Sequence, residues 1–153
     1  MQDYKSAITA KIGVNEAFER ITRVSDWWTA GTHGSARKLG DEFTVRWGET
    51  FVTFKVTELV PGKRAVWLVT DCNVEGFKDK TEWKGTKVVW DLSSKNGETH
   101  VSMTHVGLVP TVACYALCES GWNFYVGESL LRLLTEGKGL PDQKGRSAQR
   151  AQA

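Results

Sequence analysis

Little in this sequence announces a reaction. The 153 residues hold no Ser/His/Asp arrangement, no phosphate-cradling glycine loop and no carboxylate-rich metal motif, so the chemistries that declare themselves by motif are missing. Cysteines number three, an odd count without the spacing of a disulfide framework, which excludes a small stapled scaffold. Cys114 and Cys118 lie four apart and share one face of any helix there; without further ligands they read as buried reduced thiols rather than zinc ligands. No apolar run is long enough to span a bilayer, and Met1-Gln2-Asp3-Tyr4-Lys5 opens directly into an alternating segment rather than a leader. The expectation is a cytoplasmic protein with no membrane insertion. Charge of one sign is also scarce. The net charge is +2, and the residues after Gly137 carry +3, which leaves the rest near −1. No face is basic enough to track phosphates, so nucleic acid is not an expected partner.

What the chain does have is aromatic mass. Hydrophobic and charged contents of 41% and 25% are ordinary for a globular domain, but seven Trp in this length are not. Large rings fill cores and also line pockets. The length suits one domain with a core that needs no staples. The expected division is a folded domain over 1–140 and a disordered tail over 141–153, where Gly, Gln, Ala and basic residues offer nothing apolar to bury.

Periodicity orders the elements. Residues 4–12 alternate, with Ile8, Ala10 and Ile12 on one face, as a strand does. Val14, Ala17, Phe18 and Ile21 then follow helical spacing, with Asn15 as the expected cap. A second short helix over 24–29 carries Trp27 and Trp28, which on a helix should face different ways, and 31–40 reads as a loop. Strands follow around Phe43, Val45 and Trp47, around Val52, Phe54 and Val56, and over 65–69 around Trp67. Residues 71–85 form a polar excursion that fits a flap beside a site. Two further strands, 86–93 and 99–106, flank the hairpin dipeptide Asn96-Gly97. From Thr111 to Gly137 there is no proline, and Trp122, Val126, Leu130 and Leu133 form one stripe of a long helix ending near Lys138-Gly139. Gly121 falls inside that helix, at a cost of about 1 kcal/mol against Ala. Close approach to the sheet, or room for a ligand, would justify it.

This order predicts an α+β helix-grip architecture. An antiparallel sheet of about six strands curls around one long C-terminal helix, and two short helices after the first strand close one end. Large rigid rings on the inner face then leave a hollow between sheet and helix. The candidate lining residues are Trp28, Trp47, Phe54, Trp67, Trp90, Met103, His105, Cys118, Trp122 and Tyr125.

Several short matches, in order, resemble a known family. They are Ala17-Phe18-Glu19-Arg20-Ile21 leading to Asp26-Trp27-Trp28, then Pro61-Gly62-Lys63-Arg64 and Trp83-Lys84-Gly85-Thr86. Thr104-His105-Val106-Gly107-Leu108-Val109-Pro110 follows, and then Gly121-Trp122 through Tyr125 to Ser129-Leu130 and Gly137-Lys138-Gly139. Over residues 4–141 the chain resembles the START-like, or SRPBCC, superfamily, and within it the branch named after the heat-shock protein 90 ATPase activator. The resemblance implies a helix-grip fold with an internal pocket for hydrophobic molecules, in a group that includes lipid carriers and polyketide cyclases.

His105 continues the alternation of Val101 and Met103 and so points inward. There it either orients a ligand or acts as acid or base, or it is satisfied by a protein neighbour. Asp91 alternates to the face opposite Trp90, so no His105–Asp91 dyad is expected, and Asp26 reads as a cap or surface charge. Glu82, in the excursion, is within reach of a pocket mouth. No residue is assigned as catalytic, and no metal or cofactor is called for. The leading expectation is binding or carriage of a small aromatic or lipid-like molecule. The alternatives are a cyclase, dehydratase or hydrolase using His105, and a module acting on a chaperone.

Overall fold

A computed structural model describes residues 2–142; the expected tail from 143 onward lies outside them. Strand β1 (Tyr4–Ala10) is followed by helices α1 (Val14–Ile21) and α2 (Val24–Trp27). Six strands come next: β2 (His33–Gly34), β3 (Glu42–Trp47), β4 (Thr50–Val60), β5 (Arg64–Asn73), β6 (Lys87–Lys95) and β7 (Glu98–Val106). The chain closes with α3 (Tyr115–Phe124), a π-helical segment (Tyr125–Leu130) and α4 (Leu131–Glu136).

All seven strands form one antiparallel sheet in the order β1-β7-β6-β5-β4-β3-β2. The seventh strand is β2, two residues inside the expected loop, paired to Thr44 and Phe43. Register shifts at Thr53/Phe54 and Val56/Glu58 bend β4, which helps the sheet curl around the helix. The β6–β7 turn is the expected one: Asn96 and Gly97 both take positive φ, 54° and 78°, as a tight hairpin with right-handed twist requires.

Local differences from expectation have plain causes. Asn15 lies inside α1, whose cap is Gly13 without a side-chain hydrogen bond. The long helix begins at Tyr115 rather than Thr111, because Val112 N and Tyr115 N donate to Val109 O and Val112 O in tighter turns. It ends at Gly137, in the left-handed conformation, directly before the expected stop at Lys138-Gly139. Its stripe of Trp122, Val126, Leu130 and Leu133 is buried as expected, and the π segment buries Ser129 beside it. The Ser129 hydroxyl donates to Trp27 O at 2.6 Å and accepts from Leu140 N at 2.7 Å. Beyond it, Asp142 N donates to Trp28 O and Asp142 O accepts from Ala30 N, so residues 140–142 dock on the domain although the sequence draws its boundary at 140.

The concave face is filled by rings. Phe43 and Phe54 pair across β3 and β4 with centroids 5.1 Å apart, and Trp67 meets Phe43 at 4.9 Å and Trp90 at 5.3 Å. Trp27 closes this cluster from α2, 5.7 Å from Trp90. These rings occupy the centre of the concave face, where a hollow is expected from the sequence.

Candidate functional site

The open space lies at one end of the grip, where α3 leaves the sheet. A half-enclosed cleft of about 420 Å³ sits between α3, the ends of β3 and β4, and residues 74–83. Trp28, Trp47, Trp83, Trp122 and Tyr125 form its walls, Val52 and Val74 extend them, and Leu117 and Phe124 stand at the rim. Its polar groups are few: the hydroxyls of Thr50 and Ser120, the thiol of Cys118 and the phenol of Tyr125. Gly121 forms part of the helix surface here, and a Cβ added to it would meet nothing within 4 Å. Room, not close approach, explains this mid-helix glycine. A second hollow of about 430 Å³ opens beside α2, but charged Arg23, Asp26 and Arg37 line it.

Each wall residue is positioned by its neighbours. Trp28 does not face away from Trp27: the two rings stack at 5.7 Å and 14° because α2 ends at Trp27 and helical spacing stops there. Trp28 then touches Trp122 at 4.7 Å and Trp47 at 5.4 Å, which ties α2, α3 and β3 into one wall. Burial raises the Tyr125 phenol to about 12, with the charge of Asp142 adding to the effect and a hydrogen bond with Trp47 opposing it, so it stays neutral.

Trp83 was not among the expected lining residues, yet it forms the wall facing α3. Its turn is held to β5 by Gly85 N donating to Val69 O and Val69 N donating to Thr86 O, both at 2.9 Å. Glu82 Oε2, accepting from Ala113 N at 3.3 Å, fastens the same turn to the start of α3. A lone tryptophan in an otherwise polar excursion was the available signal. Nothing in the periodicity marks Thr50, Val74 or Ser120.

The expected lining residues divide in two. Trp28, Trp47, Cys118, Trp122 and Tyr125 are brought together around the cleft. Phe54, Trp67, Trp90, Met103 and His105 are fully buried and do not border it. The first three of these belong to the ring cluster, and Met103 pairs with Trp90 across β6 and β7.

His105 lies one layer behind the wall, and its protonation follows from donor counting. The Trp122 indole can only donate, so His105 Nδ1 accepts from it at 3.1 Å. Nε2 therefore carries the proton and donates to Thr86 Oγ1 at 2.9 Å. The Thr86 hydroxyl donates onward to Trp83 O. Both nitrogens are occupied, and burial drives the imidazole down to about 3. Edge contact with Trp83 at 4.5 Å completes its surroundings. Asp91 does not join it but pairs with Arg64 at 2.8 Å on the outer face. His105 thus holds Trp83 and Trp122 parallel, at 6.1 Å and 8°.

A curved sheet gripping one long helix, with a cleft between the helix and the strand ends, defines a START-like protein of helix-grip type. Residues 14–135 match the family described as Activator of Hsp90 ATPase homolog 1-like protein, and the chain belongs to that family. Among solved structures, the Aha1 dimer from Colwellia psychrerythraea is similar over 91% of this chain and 100% of its own, with 25% identity and a TM-score of 0.72. DynU16, from the dynemicin biosynthetic locus, is similar over 91% of this chain and 49% of its own, with 21% identity and a TM-score of 0.66. SSP2350 from Staphylococcus saprophyticus shares the fold at 12% identity and a TM-score of 0.67, over 90% and 95% of the two chains. No curated protein matches the chain. Among the described residues no helix is long and apolar enough to cross a membrane, and no group of three or more His, Cys, Asp or Glu is placed to hold a metal ion.

Proposed function

We propose that the cleft binds a small, largely apolar molecule with a flat aromatic or hydrocarbon part. The observation that carries this reading is a hollow of about 420 Å³ walled by four indoles and a phenol, with hydroxyls and a thiol as its only polar side chains. Ligand pockets typically occupy about 300–1,000 Å³ and orient an apolar body with a few polar groups. Thr50, Ser120 and neutral Tyr125 are such groups, suited to a carbonyl or hydroxyl on the ligand. Binding is favoured over acid–base catalysis because His105, the residue that would serve as acid or base, has both nitrogens engaged by protein and borders no open space. Titration with flavonoid-like, fatty-acid and steroid-like compounds tests this by intrinsic tryptophan fluorescence. At least one class should give a saturable change that is lost in Gly121→Leu, which fills the cleft. A folded protein with no saturable response across the panel would end this reading.

Docking to a protein is the second reading. It is favoured by Leu117 and Phe124, 63% and 39% exposed at the rim on α3, an apolar pair of the sort that marks contact surfaces. Stimulation of an Hsp90 ATPase by the full chain, abolished in Leu117→Glu, is the corresponding test.

A further inference from the structure

Cys118 lines the cleft and Cys114 lies one helical turn before it, behind the wall. Cys118 N donates to Cys114 O at 2.8 Å, which closes one helical turn between them. In regular helix, Cβ atoms four residues apart stand about 5–6 Å apart, wider than the roughly 3.5–4.5 Å of a disulfide, so closure draws on the non-helical backbone of Cys114, at φ −82° and ψ 1°. Cys114 is the N-cap residue, so only its carbonyl is committed to the helix. Trp83 Nε1 donates to Cys114 Sγ at 3.3 Å. Access is asymmetric. Cys118 lines the cleft, whereas Cys114 is buried and does not.

We propose that Cys114 and Cys118 form a dithiol site that undergoes exchange with small organic disulfides entering the cleft and closes to an intrahelical disulfide. The cleft gives the disulfide a path to Cys118 alone. The Cys118 sulfur passes its proton to the Cys114 thiolate and attacks one sulfur of the incoming disulfide; a mixed disulfide forms and one small thiol leaves, taking up that proton from Cys114. Cys114 then attacks the Cys118 sulfur, forming the internal bond and releasing the second small thiol. Two protein thiols are oxidised and one small disulfide is reduced, so atoms and electrons balance.

The surroundings supply the base that takes the Cys118 proton. The Cys118 S–H, followed by the Trp83 N–H, holds Cys114 down to about 7 against the opposing effect of burial and of the Glu82 charge. Cys118 is raised, because its proton is the one Cys114 shares, and burial adds to this. The pair thus gives up its first proton near neutral pH. The third cysteine, Cys72, has its thiol directed at Lys80 O at 3.7 Å, and burial raises it.

This site uses the cleft as an entry path but does not depend on the apolar-ligand reading, and its test needs no such ligand. The folded full chain is incubated with 2-hydroxyethyl disulfide and its mass followed without reduction. The wild type should become lighter by two hydrogens. No Lys or Arg occurs from 96 to 131, so trypsin should place that loss within the single peptide 96–132, apart from the peptide that carries Cys72. Cys114→Ser should stop at a mixed disulfide, heavier by one half of the reagent. Cys118→Ser should react about tenfold more slowly or less, since its remaining thiols are buried. Mapping on the wild type keeps the test decisive even if a variant misfolds. A bond to Cys72, a stable mixed disulfide on the wild type, or no reaction while the chain stays folded would each overturn the proposal.

Discussion

The two ends of this molecule use the same side chains to opposite effect. At one end Phe43, Phe54, Trp67 and Trp90 sit on four neighbouring strands, with centroids 4.9 to 5.8 Å apart. Adjacent strands run about 4.8 Å apart, so rings on one face must interlock. At the other end Trp28 follows a helix, Trp47 ends a strand, Trp83 comes from a turn and Trp122 from α3. No common lattice spaces these rings, and Gly121, Ser120 and Thr50 lie between them. An aromatic side chain on adjacent strands fills space, whereas one at the end of an element encloses it.

The largest test of this contrast removes one ring from each end. Trp67→Ala should cost about 3–5 kcal/mol, because the surrounding rings cannot collapse into the void. Trp47→Ala removes a half-buried ring beside space already open, and should cost about 1 kcal/mol while weakening binding of a fluorescent apolar probe. Urea melts of both variants supply the comparison. Equal losses would erase the distinction between a packed end and an open one.

This contrast also sets what could be read from the sequence. Alternation located β3, β4, β6 and β7, and proline-free helical spacing located the long helix, because both periods are properties of the chain itself. Alternation also says that Met103 points inward, and Trp67 and Trp90 are inward candidates beside it; all three are buried. It cannot say whether inward means cavity or core, since that depends on which rings face each other across strands whose register is not yet known. Trp83 shows the converse. Its turn has no period, and its place at the cleft is fixed by backbone bonds to Val69 and by the Glu82 tether. The π segment was equally invisible, because one extra residue per turn leaves no mark on a leucine stripe.

Behind the cleft, His105 is held between Trp122 and Thr86. His105→Ala strands the Trp122 indole and removes the donor to Thr86, which should cost about 1–3 kcal/mol in stability. Probe binding should change less, because the ring does not border the cleft. A stable variant with much weaker binding would move His105 into the site.

The same residue sets an acid response. Its folded value of about 3 lies below an unfolded value of about 6.5. The unfolded chain therefore takes up the proton first as pH falls, and the stability present above about pH 6.5 drains away towards pH 3. The slope approaches at most about 1.4 kcal/mol per pH unit. Between about pH 6.5 and 5 carboxylates still hold their charge, and with three histidines in the chain the difference between wild type and a His105 variant isolates this imidazole. Denaturant melts across this window should show a steeper slope in the wild type than in His105→Asn. Equal slopes would assign the acid response elsewhere.

The smallest expected effect is at Gly121. Its backbone is ordinary helix, and an added Cβ finds open space, so Gly121→Ala should raise stability by about 0.5–1 kcal/mol through helix propensity alone. The methyl group would project into the cleft, where one apolar carbon against aromatic walls displaces little, so probe affinity should shift by less than about threefold. A loss of stability would mean that α3 and the opposing wall approach more closely in solution. That would make the cleft narrower than its rings now enclose, and the two ends of the molecule more alike.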